Sequence, residues 1–105
     1  MGNNQQRPHT APQSLDTAIE ECVVSRRNFY LGLWAGRAMG IAEPLLRDYA
    51  HSVVAADFEE PGHEDVIRKV VGDLAASGLA LTREEIERQL CRTHAIAAWQ
   101  FAISD

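Results

Sequence analysis

Between Ala56 and Val70 the chain reads ADFEEPGHEDVIRKV, which sets Asp57, Glu59, Glu60, Glu64 and Asp65 around Pro61, Gly62 and His63 with no basic residue before Arg68. Carboxylates and an imidazole at that density are the raw material of a divalent-metal site or of general acid-base chemistry. The spacing argues against both. The run lacks the DxDxDG order of a helix-loop-helix calcium site, and Pro61 with Gly62 breaks the backbone, so the five acids do not share one helix face. A catalytic carboxylate needs a cleft that shifts its pKa, and a hairpin between two surface helices is a poor place to bury one. Helix electrostatics explain part of the cluster: Glu64 and Asp65 open a helix, where each acid gains roughly 0.3–1 kcal/mol from the partial positive charge of the amino terminus. Glu59 and Glu60 close the preceding helix and gain nothing from its dipole. They look instead to solvent, to Arg68 or Lys69, or to an external basic surface.

Three other groupings carry possible chemistry. Cys91 and His94 stand three apart on one helix, the spacing of a thiolate-imidazole pair; the favoured reading makes Cys91 a small buried hydrophobe and His94 a seam residue. Trp34 and Trp99 could stack a nucleotide base beside arginines, but no GxxxxGK[ST] phosphate loop accompanies them, so they are expected in the core. Arg26 and Arg27 are expected to face solvent or form local ion pairs, His51 to lie on the surface and His9 in the tail. No catalytic residue, metal ligand or cofactor is expected.

The elements that position these residues follow from length and pattern. A chain of 105 residues is one domain with one core. Its net charge of −5 argues against nucleic acid and against anionic membrane surfaces. Lys69 is the only lysine, so the basic groups suit bidentate pairing with carboxylates. Cys22 and Cys91 form no CxxC pattern, and residues 1–14, MGNNQQRPHTAPQS, contain no apolar signal core, which together predict a reduced, cytoplasmic protein. The longest charge-free apolar run, Asn28 to Gly36, is far short of the roughly 20 residues that span a bilayer. No membrane insertion is expected.

Residues 1–14 are polar and broken by proline and are expected to form a flexible tail; residues 15–105 are expected to be a single helical domain. Helices are predicted at about 15–39, 43–60, 63–77 and 83–103. In the first, Ile19, Cys22, Val23, Arg26, Tyr30, Leu33 and Ala38 recur with helical period, and FYLGLWAG is apolar nearly all round, marking a central helix contacted on several sides. Gly32 and Gly36 each cost roughly 1 kcal/mol in a helix and so point to a close neighbour, while Gly40 and Gly78 supply helix stops. Leu46, Tyr49, Ala50, Val53 and Val54 face inward from the second helix, and Val66, Ile67, Val70, Val71 and Leu74 from the third. Thr82 and Glu85 form a capping box for the fourth, which Ile86, Leu90, Ala97 and Phe101 carry on. The fold class is all-α, a compact four-helix bundle with a long central first helix.

Two stretches add to this reading: RRNFYLGLWAG, Arg26 to Gly36, and ADFEEPGHEDVIRKVVGDLA, Ala56 to Ala75. Together they resemble the zeta-subunit family of bacterial F-type ATP synthases, which carries closely similar RRN-xx-LGLWA and ADFEEPG-x-EDV-x-RKV-xx-DLA blocks. The matching positions are Asn28, Leu31, Gly32, Leu33, Trp34, Asp57, Phe58, Glu59, Glu60, Pro61, Gly62, Glu64, Asp65, Arg68, Lys69 and Asp73.

The resemblance implies a four-helix bundle whose flexible amino-terminal segment inserts into the catalytic sector of the ATP synthase and blocks ATP hydrolysis; such a protein is an inhibitor and rotation brake, not an enzyme. Upstream of the RRN block the family has a segment rich in charge and phenylalanine, similar to FE-x-KFAHD, where this chain has SLDTAIEECVVS. Asp16, Glu20 and Glu21 supply the charge there, and with Arg26 and Arg27 they are the expected partner-binding residues. His63 replaces an acid of the family pattern, which weakens a helix cap. The departure upstream marks a divergent paralogue and keeps an alternative open: a non-inhibitory zeta-like module that binds another protein or, weakly, a nucleotide.

Overall fold

The computed structural model describes residues 15–58 and 62–103. Among the described residues four helices follow one another: α1 (Leu15–Ala38), α2 (Leu45–Ala55), α3 (Glu64–Ala76) and α4 (Arg83–Ile103), and a 3-10 turn, Ala56–Phe58, closes α2. The described residues contain no strand, as the periodicity predicts. The expected tail, residues 1–14, and the acids Glu59 and Glu60 with Pro61 lie outside the described residues. The α2 helix is shorter than predicted, because the chain tightens at Ala56 and Asp57 leaves helical geometry at φ −82°, ψ 20°.

The α1 helix packs along α2 and α4 and also touches α3, the central position its apolar second half requires. Its buried stripe is Val23, Arg27, Asn28, Leu31, Gly32, Ala35 and Gly36, rotated from the predicted set. Large apolar side chains mark the predicted face, whereas α2 approaches the side of α1 where side chains are smallest. A Cβ on Gly32 would lie 2.6 Å from the Ala50 Cα, and one on Gly36 2.5 Å from the Leu46 Cδ1. The two glycines therefore trade helix propensity for close helix-helix contact. Tyr30, Leu33 and Trp34 are left half-buried on the flank.

Turn chemistry fixes the links. Gly40 and Gly78 take φ of +82° and +84°, and Ile41 and Leu79 donate their amides back to the Gly36 and Leu74 carbonyls at 2.9 and 3.0 Å, which is the six-to-one bond of a Schellman stop. The Thr82–Glu85 box closes in both directions, at 2.8 and 3.1 Å. His63 sits at the α3 N-cap without a side-chain capping bond, as the loss of an acid there predicts.

Leu31 and Ala35 of α1, Val53 of α2, Val66, Ile67, Val70 and Leu74 of α3, and Ile86 and Leu90 of α4 make the core. Burial of this kind contributes roughly 1.5–3 kcal/mol for each large side chain. Trp99 and Phe101, expected inside, are 63% and 38% exposed, because α4 runs past the core and Ala97 is its last buried residue. Cys91 is likewise exposed and not a buried hydrophobe. No described helix is long and apolar enough to cross a membrane.

Candidate functional site

The two signature blocks meet in space. Arg27 and Asn28 point inward from α1 toward the end of α2 and the start of α3, where Asp57 and Asp65 stand. Arg27 and Asn28 are 8% and 1% exposed and Asp65 is 4% exposed. Arg27, expected at the surface beside Arg26, is thus interior, and the hairpin does bury a carboxylate. The Arg27 Nε donates to the Asn28 Oδ1 at 2.9 Å, and the Arg68 guanidinium reaches the Asp65 Oδ1 at 3.1 Å.

Burial is the main influence on the charges of this node. It pulls the Arg27 guanidinium below its ordinary pKa, while Asp57, Glu20 and Cys91 draw it back up; an arginine so placed still keeps its proton. Burial also raises the Asp57 carboxyl, opposed by the Arg27 charge and the Asn28 amide, reinforced by Asp65 and opposed by His63. The Asn28 amide lies near enough to favour ionised Asp57, yet its Nδ2 and the Asp57 Oδ1 are buried without a hydrogen-bond partner of good geometry among the described residues. The attraction between Arg27 and Asp57 favours the seat of the hairpin against α1, while burying these groups costs desolvation.

Two polar ties hold the other helices. Arg83, at the start of α4, clasps Glu64 at the start of α3 through two hydrogen bonds of 3.0 and 2.6 Å and reaches Glu87 at 2.7 Å. Tyr49 of α2 donates its hydroxyl to Asp73 of α3 at 2.7 Å, Lys69 pairs with the same carboxylate at 3.1 Å, and the Lys69 ammonium lies 5.3 Å from the Tyr49 ring centre. The i,i+4 spacing of Lys69 and Asp73 was visible in sequence; their shared contact with Tyr49 depends on how α2 and α3 pack.

The expected partner-binding residues divide. Asp16, Glu20, Glu21 and Arg26 are exposed along the first half of α1, while Arg27 works from inside. Leu15, Ala18 and Cys22 are exposed with them, so the opening turns of α1 lean largely free of the bundle. Among the signature positions, Leu31, Gly32, Asn28 and Asp65 are buried, Leu33, Trp34, Asp57, Glu64, Lys69 and Asp73 are half-buried, and Gly62 and Arg68 are exposed. Among the described residues no three His, Cys, Asp or Glu side chains converge as metal ligands would.

The family model of ATPase inhibitor subunit zeta matches residues 9–100. The chain belongs to this zeta family. That is a family of inhibitor subunits, not of catalytic ones. A structure solved by solution NMR is 37% identical to this zeta-family chain and superposes with a TM-score of 0.72, covering 80% of this chain and 95% of its own. No curated protein sequence matches it. Both zeta blocks therefore contribute to one joint: the first supplies Arg27 and Asn28, the second Asp57, Asp65 and Arg68.

Proposed function

We propose that this zeta-family protein is a cytoplasmic regulator that binds the catalytic sector of an F-type ATP synthase and inhibits ATP hydrolysis through its amino-terminal segment. The observation that carries the reading is the family match, which runs from residue 9 to residue 100, into the last turns of α4. The exposed opening turns of α1, with Asp16, Glu20 and Glu21 turned to solvent, support a partner contact at that end. Arg26 continues the contact surface, and the buried Arg27 braces the helix that carries it. The bundle is the scaffold and not a catalyst.

Purified catalytic sector provides the test. Added in excess, the full chain should suppress ATP hydrolysis, and a chain lacking residues 1 to about 20 should not. Equal inhibition by both, or by neither, refutes the proposal.

One observation favours a second reading. The stretch SLDTAIEECVVS contains no aromatic and no basic residue, so a segment that folds on insertion has few anchors to hold it. On this reading the chain is a non-inhibitory paralogue that binds another protein or, weakly, a nucleotide. Failure to recover ATP synthase subunits on the immobilised chain, with ATP shifting amide resonances of the bundle, would select it.

A further inference from the structure

A groove of about 440 Å³ runs along the seam between the second half of α1 and α4, walled by Leu33, Trp34 and Arg37 on one side and by Gln89, Arg92 and Ile96 on the other. Its floor is apolar and its rims are basic: Leu33 and Trp34 are half-buried, while Arg37, Arg92 and Ile96 stand exposed. The Tyr30 hydroxyl donates to the Gln100 Oε1 at the end of the groove that adjoins an apolar trough along the first half of α1. The α4 wall runs from Gln89 to Gln100, a length of roughly 16 Å, or about three helical turns.

Charge selects the occupant. Among the described residues no acid lines this groove. The stretches Val23 to Ala38 of α1 and Arg88 to Ile103 of α4 carry Arg26, Arg27, Arg37, Arg88 and Arg92 and no aspartate or glutamate, in a chain whose net charge is −5. Neither Arg37 nor Arg92 forms an ion pair or a side-chain hydrogen bond among the described residues. Arg37 lies in the last turn of α1 and answers the partial negative charge of that helix end. Arg92 has no such task. Its neighbours three and four positions away are Arg88, Gln89, Ala95 and Ile96, so the helix offers it no acid and sets it one turn from a like charge, an unfavourable spacing. The acids that open α4 are already engaged, Glu85 by the Thr82 amide and Glu87 by Arg83, and Glu84 lies two turns before Arg92.

We infer that this groove docks an acidic amphipathic helix of a partner protein, its apolar stripe seated on Leu33, Trp34 and Ile96 and its carboxylates meeting Arg37 and Arg92. An apolar floor with a cation on each rim complements such a helix, and the planar fork of a guanidinium matches a carboxylate in two hydrogen bonds. The surface includes none of Asp16, Glu20, Glu21 and Arg26, and the inference stands whether or not the amino-terminal segment inhibits hydrolysis.

Two synthetic 18-residue helices with the same leucine stripe, one flanked by glutamates and the other by lysines, test it on the full chain by amide chemical-shift mapping. The glutamate helix should shift Leu33, Trp34, Arg92 and Ile96, and added salt should weaken it. Arg37→Gln and Arg92→Gln should each weaken it by about threefold, whereas Arg47→Gln, at an exposed position of α2, should leave it unchanged. Unchanged amide spectra away from the substituted sites confirm that the variants fold. Equal affinity for the two helices, wild-type binding by both groove variants, equal weakening by Arg47→Gln, or shifts centred outside the groove overturns the inference. The same shifts at equal strength from inorganic phosphate or from phosphatidylglycerol vesicles would also overturn it, giving the arginines to a small anion or to a lipid surface.

Discussion

Gly32 on α1 faces Ala50 on α2 so closely that a Cβ at position 32 would lie 2.6 Å from the Ala50 Cα. A backbone atom cannot swing aside as a side chain can, so Gly32→Ala must push the helices apart. Overpacking costs about 1–3 kcal/mol, against which the gain in helix propensity is about 1. Gly72, exposed within α3 and with nothing within 4 Å of its added Cβ, gives the opposite case: Gly72→Ala should stabilise by about 0.5–1 kcal/mol. Urea unfolding of the two variants should give shifts of opposite sign.

Arg27 is the largest influence holding the Asp57 carboxyl down against burial, ahead of the Asn28 amide and His63. Arg27→Ala should destabilise by about 1–3 kcal/mol, through the lost packing of a buried side chain and the lost bond to Asn28. The Asp57 carboxyl should then titrate still higher than in the parent chain, which carboxyl-carbon NMR reads directly. Arg27→Lys should recover only part of the stability, because a lysine has no Nε to place on the Asn28 Oδ1. An Asp57 titration indifferent to the loss of Arg27 would contradict the node.

The Glu64–Arg83 clasp makes stability depend on acid pH. Hydrogen bonding to Arg83 holds the Glu64 carboxyl below its ordinary pKa of 4.5. A depressed carboxyl contributes stability that is fully present above the unfolded value and is lost as pH falls through the lower folded one. Glu64→Gln should therefore melt below the parent chain at neutral pH, by a small amount since the pair is solvent-exposed, and the two should converge in strong acid. Added salt should narrow the neutral-pH gap.

Tyr49→Phe removes the hydroxyl that ties α2 to Asp73. The expected loss is about 1 kcal/mol. Burial, then the bond to Asp73 and its charge, push the Tyr49 hydroxyl well above its ordinary value. A raised phenol stabilises the fold below the unfolded pKa of about 10 and loses that stabilisation as pH rises through the folded one. Phenolate absorbance in the folded chain should therefore show a tyrosine resistant to alkali, absent from the Phe variant.

Much of the scaffold could be read from the residues. Helical period, Gly40 and Gly78 as stops, and the Thr82–Glu85 box all act within one or two turns, so local rules find them. Gly32 and Gly36 announced a close neighbour through their unfavourable helix propensity, although not which helix it is. The inward face of α1 was harder, because size and hydrophobicity point to Tyr30 and Leu33, while the approach of α2 selects the glycines and alanine. Arg27 shows the same limit: nothing in Arg26–Arg27 distinguishes a solvated guanidinium from one that finds Asp57, thirty positions on, in the interior. The apolar trough lined by Ala18, Phe29, Val54 and Ile103 was not legible, since it is drawn from three helices and exists only when they are assembled.

The α1 helix has one further consequence. Its 24 residues make a rod about 36 Å long, anchored in the bundle by Leu31, Gly32 and Ala35 and bare at its opening turns. Because the rod is one unbroken helix, whatever grips residues 15–22 sets the direction of the whole body behind them. A load placed on that end would pass down the rod to the Gly32–Ala50 contact, where α1 lies too close to α2 for either helix to slide past a side chain.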